Sequence, residues 1–213
     1  MLPSISLSSE SVSLLRVRGL SVQQVDDFSE LLNKAHQQQS QDRSAKQVLA
    51  EMSGDELALL QKATSLASNI NVSSLSNEGA INLLAQPDKT GMVDLNNDGV
   101  VEIGIAKMVT FPPVNAPDSV HQAWDKATEN MAEGDKMIMQ LHMHTTVYGF
   151  QIEGLPTKEP ISPEAQWSET GWQQLLATLR SALEFSVGID GWTRMNVVRQ
   201  DFYDRFEGEL RHS

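Results

Sequence analysis

The chain has 213 residues, with 16 Lys and Arg against 28 Asp and Glu, and its formal charge of −12 repels phosphate backbones and anionic lipid, which excludes nucleic acid as the expected partner. With no Cys, disulfides, thiolate catalysis and Cys-based zinc sites are excluded as well. The length suffices to bury a substantial core, and no apolar run is long enough to cross a bilayer.

Residues 1–20 are Ser-rich with scattered apolar positions and are expected as a flexible tail. The segment lacks the basic start and apolar centre of a secretion signal, so a cytoplasmic address is expected, with non-classical export as the minor alternative. Residues 21–213 are expected to form one principal, mainly α domain. Ser21 is placed to cap a first helix with Val25, Phe28, Leu32 and Ala35 on one face. Residues 37–43 read as a polar linker and 45–52 as a short helix. Ser53 and Glu56 then have the spacing of a capping box, opening a helix whose stripe is Leu57, Leu60 and Ala67. Ser76 starts another, with Asn77 and Glu78 favouring the helix dipole, and Pro87 closes it.

Residues 94–102 read Asp-Leu-Asn-Asn-Asp-Gly-Val-Val-Glu. Oxygen side chains at Asp94, Asn96 and Asp98 recur at every second position, so a backbone wrapped around a cation points all three inward. Gly99 takes the sharp turn, Val100 offers its carbonyl, and Glu102 reaches the ion directly or through water. The run resembles the DxNxDG loops of EF-hand-like calcium proteins over residues 94–105, and that resemblance implies a Ca2+ site. It departs from the full EF-hand at the twelfth position, where Ile105 replaces a bidentate acid, and is closer to shorter calcium loops that end on a ninth-position acid. The competing reading needs no metal: Asp98-Gly99 is a favoured type I′ pair joining short strands at 91–93 and 100–103.

Residues 107–111 are expected to be extended before Pro112, Pro113 and Pro117 impose a non-helical connection. Val120, Trp124, Ala127, Met131, Gly134, Ile138, Leu141, Thr145 and Tyr148 then alternate spacings of four and three, which predicts a helical seam broken near Asp135, with Asp135 capping its second half. After a proline-containing loop at 154–163, Trp172, Leu175, Leu176, Leu179 and Leu183 mark one more helix. Gly188 to Gly191 is the turn, and Trp192, Met195, Val198, Phe202, Phe206 and Leu210 mark the last helix.

Several other residues have bland readings. His142 and His144 would share a face on a strand and bind zinc, but on a helix they diverge by about 200 degrees. No Ser or Cys nucleophile motif accompanies them, so no reaction is assigned. Met131, Met137, Met139 and Met143 fit a core better than a partner groove, and the tryptophans fit core anchors better than stacking platforms. The expectation is a calcium-binding, helical-bundle-like protein whose ion is structural or regulatory. The alternative is a helical adaptor or chaperone-like protein that binds a protein partner through the Met-rich seam.

Overall fold

The computed structural model describes residues 6–39, 43–149 and 161–212. Most of the proline-containing loop expected at 154–163 lies outside the described residues. The protein is mainly α, with ten α-helices and one two-stranded sheet among the described residues. The chain divides into two compact units: residues 1–95 with 100–108, and residues 96–99 with 109–213.

The first unit opens with α1 (Ser9–Val17), which corrects the expected tail. Ser8 caps this helix by accepting from the Ser11 N–H, and Leu15 is fully buried in the core. Burying a Leu side chain contributes about 1.5–3 kcal/mol, enough to dock a short segment that composition alone marks as loose. In α2 (Val22–Gln39) the predicted face of Val25, Phe28, Leu32 and Ala35 is buried, and Ser21 and Gln24 exchange side-chain and backbone hydrogen bonds at its start. Capping boxes open α3 (Ala45–Ala50), through Ser44 and Gln47, and α4 (Gly54–Thr64), through Ser53 and Glu56. Ser65, left-handed at φ 57, ends α4 before Ala67, so Ala63 takes the buried position expected of Ala67.

Ser76 caps α5 (Asn77–Leu83), a helix of two turns. Strands β1 (Val100–Ile103) and β2 (Ala106–Val109) pair through a turn at Gly104 and Ile105, not through Asp98-Gly99 as the metal-free hairpin reading requires. Gly104, at φ +61, holds the first turn position, where a type II′ hairpin needs that sign. A Cβ on Gly79 would stand 2.2 Å from the Gly104 carbonyl oxygen, so only glycine allows α5 and the hairpin to meet this closely.

The second unit contains α6 (Asp118–Thr128), α7 (Glu133–Tyr148), α8 (Pro163–Gln166), α9 (Glu169–Asp190) and α10 (Arg194–His212). Helix α10 packs against α6 and α9. Phe202 and Phe206 stack with ring centroids 5.4 Å apart, and Trp124 meets Phe202 edge-on at 5.3 Å. All five apolar positions expected on α9 are buried. That helix runs through Gly188 to a C-cap at Gly191, and Trp192 is 62% exposed instead of closing the stripe of α10.

The seam expected along residues 120–148 survives in α6 but changes phase in α7. There the buried row is Asp135, Met139, Met143 and Val147, whereas Ile138 and Leu141 are 47% and 57% exposed. The break at 129–132 resets the helix, and a shift of one residue turns the face by about 100 degrees. Asp135 does not cap α7. Its carboxylate instead takes both terminal nitrogens of Arg194 on α10, a bidentate pair.

Candidate metal centre

Two side chains of α5 hold the flanks of the Asp-rich run within the first unit. The Asn82 amide donates to the carbonyls of Val93 and Glu102 and accepts from the Val93 N–H, each at 2.8 Å. One turn earlier, the Glu78 carboxylate accepts from the N–H groups of Leu95 and Glu102, both at 2.8 Å. Asn82 is fully buried and Glu78 nearly so. An i, i+4 pair lies on one helix face, and here that face replaces the ladder partners which the backbone on either side of the loop would otherwise lack.

The candidate ligands divide between the units. Asp94, in the first unit, is buried at 4% exposure. Val100 begins β1. Glu102, two positions on, turns its carboxylate to the Ser76 hydroxyl and to Lys107 Nζ, the latter 3.2 Å away. The Ser76 hydrogen bond lowers the Glu102 pKa, and Lys107 adds to this against the opposing effect of partial burial. Strand alternation explains this placement: Val101 is buried, so Glu102 points to the other face beside its cross-strand neighbour.

Asn96 and Asp98 belong to the second unit. Asn96 Nδ2 donates to Asp98 Oδ2 at 3.0 Å, and the Asp98 N–H returns a bond to Asn96 Oδ1 at 3.2 Å. This Asx turn keeps both side chains on one side of the backbone. Asn97 at φ 54 and Gly99 at φ 78 are left-handed, the sharp wrapping expected of the run. Gly99 lies against α7: a Cβ there would come within 2.4 Å of the Tyr148 ring and 2.8 Å of His144 Cε1.

His144 is 6% exposed, and its Nδ1 has no hydrogen-bond partner. Burial pushes its pKa below the ordinary imidazole value, opposed by a hydrogen bond to the Thr110 backbone and by the Asp98 carboxylate. His142 faces elsewhere, with Nε2 2.7 Å from the Tyr203 hydroxyl, so the two histidines do not converge. Burial, with the Arg199 guanidinium, pushes His142 down to about 4, and burial pushes Tyr203 up to about 12.

Among the described residues, no three His, Asp or Glu side chains converge as a metal-holding group. The donors of the 94–102 run are instead mixed with an amide and a backbone carbonyl, and Glu102 is held by Ser76 and Lys107. Sequence reasoning did not find Glu78, Asn82 or His144 as neighbours of the loop. Glu78 read as a dipole-favoured first-turn acid, and its i, i+4 spacing to Asn82 was the available sign of a shared polar face. Comparison of the chain with protein-family models, with curated proteins and with solved structures finds no match. No helix among the described residues is long and apolar enough to cross a membrane.

Proposed function

We propose that the run from Asp94 to Glu102 takes a calcium ion whose role is structural or regulatory. The observation that carries this reading is the Asn96–Asp98 turn, which sets two oxygen side chains on one side of a left-handed backbone within the D-x-N-x-D-G spacing. Val100 contributes its carbonyl. Glu102 joins the shell only by giving up Ser76 and Lys107, so its contribution is the weakest.

Such a shell lacks a bidentate twelfth-position acid, and its dissociation constant is expected on the order of 10⁻⁴ to 10⁻³ M, the range of extracellular calcium modules. An ion site this weak fits the export alternative better than a cytoplasmic address. Calcium at ten times its dissociation constant stabilises the folded state by about 1.4 kcal/mol, which raises Tm by about 3–6 °C in a chain of this size. Differential scanning calorimetry of chelator-treated protein tests this. Asp94→Ala and Asp98→Ala should each abolish the rise and His142→Ala should leave it intact, whereas an unchanged wild-type Tm in calcium refutes the reading.

One observation favours a partner-binding reading. Met137, Ile138 and Leu141 form an apolar outer face on α7, while Met139 and Met143 fill the core behind it. The binding surface would then be the outward face of α7 and not the buried methionines. Loss of binding to a protein partner on Leu141→Glu, with calcium response preserved, is the result that would support it.

A further inference from the structure

The second unit brings to the Asx turn a group that the D-x-N-x-D-G pattern does not contain. His144 is more than nine-tenths buried, its Nδ1 is unpartnered, and Cε1, the carbon between the two ring nitrogens, lies against Gly99. The nitrogen-bearing edge of the ring therefore borders the loop. The tautomer with its proton on Nε2 leaves a lone pair on the buried Nδ1. The ring is also close enough to Asp98 for the carboxylate to raise its proton affinity.

We infer that Asn96 Oδ1, the Asp98 carboxylate and His144 Nδ1 form a mixed oxygen and nitrogen site that takes a borderline divalent cation, Zn2+ being the best fit. Calcium is bound by oxygen donors, whereas imidazole nitrogen suits zinc and its first-row neighbours. Asn96 Oδ1 accepts the Asp98 N–H and keeps a second lone pair for the ion. Water completes a four-coordinate shell. This site differs from a His142–His144 pair, because His142 is held by Tyr203. It rests on reading the Asp-rich loop as a cation site, and it changes which ion the loop selects.

The test uses the full chain, stripped with chelator, and Zn2+ alone as the probe. In wild-type protein, ring ¹⁵N spectra should show His144 Nδ1 shifting as zinc is added, a readout that requires no variant of a buried residue. By calorimetry, His144→Gln should weaken zinc at least about tenfold, the scale on which metal sites lose affinity when their shells are altered, and change calcium affinity less than about twofold. Asp98→Asn should weaken both ions. A His144 ring that does not respond to zinc overturns the inference, as does a zinc isotherm unchanged in His144→Gln, the result that surface histidines such as His212 would give. Asp94→Ala separates the two readings, since it should remove the calcium response and spare zinc. Calcium uptake without His144-dependent zinc uptake sinks this inference alone, and the reverse result sinks the calcium reading alone.

Discussion

Replacing Glu78 by alanine removes the acceptor of two partly buried backbone N–H groups, those of Leu95 and Glu102. An unsatisfied buried polar group costs about 1–3 kcal/mol, and partial exposure lets water replace some of what these two lose, so Glu78→Ala is expected to destabilise the first unit by about 1–3 kcal/mol in all. Glu78→Gln keeps one carbonyl oxygen and turns an NH2 group toward the second donor, so it should recover at most half of the loss. All four Trp and both Tyr lie in the second unit, which makes intrinsic fluorescence silent for this change. Urea unfolding followed by far-UV circular dichroism should report the lost stability, and amide hydrogen exchange should show Leu95 and Glu102 exchanging faster than in the wild type. If Glu78→Ala unfolds within about 0.5 kcal/mol of the wild type, the scale of an ordinary surface substitution, and both amides stay as protected as before, then the α5 side chains do not hold the loop.

Gly79→Ala should cost about 1–3 kcal/mol by overpacking, since the new Cβ meets the Gly104 carbonyl, and exchange of the Gly104 amide reports whether the hairpin has moved off α5. On α7, Met143→Ala should cost about 2–5 kcal/mol as a core truncation, while Leu141→Ala stays within about 0.5 kcal/mol; equal effects on urea midpoints would contradict the helix phase described above. His142 has a folded pKa near 4 against an ordinary value of 6.5, so the unfolded chain binds the extra proton and stability falls as pH drops from about 6.5 toward 4. His142→Gln should flatten that part of the pH–stability curve, and an NMR titration of the wild-type ring that places its midpoint above 6 contradicts the burial argument.

Three helix starts, at Ser21, Ser53 and Ser76, were legible because they depend on local chemistry. Each has a short polar side chain three residues ahead of the N–H group it caps, a relation that needs no tertiary structure. The stripe of α9 was legible for the same reason, since five apolar residues at helical spacing leave one choice of inner face. In α7 the pattern was ambiguous: Met137, Ile138, Leu141 and Tyr148 compete with Met139, Met143 and Val147, and only packing against neighbouring helices decides which row turns inward. The tail was misread because one buried Leu15 outweighs a Ser-rich composition. At the loop, the alternating oxygen side chains and the left-handed Gly99 were visible in the sequence. The Glu78 and Asn82 clamp and the approach of His144 were not, because each joins residues at least eleven positions apart.

The assignment of the chain to the two units changes at 95/96, 99/100 and 108/109, so no single cut can part them. This has a consequence during synthesis. When residue 108 is added the first unit has its full sequence, yet residues 96–99 have already been made while their own unit still lacks the 105 residues from 109 to 213. At about 5–20 residues per second, roughly 5–20 s pass before that remainder is made. Until α7 forms, Gly99 has neither Tyr148 nor His144 beside it, and the Asx turn waits as a free end of unfinished structure. The loop is thus among the earlier parts of the molecule to be synthesised and among the last to acquire its surroundings, and a ribosome-stalled chain ending before residue 133 would carry the whole Asp-rich sequence without the helix that backs it.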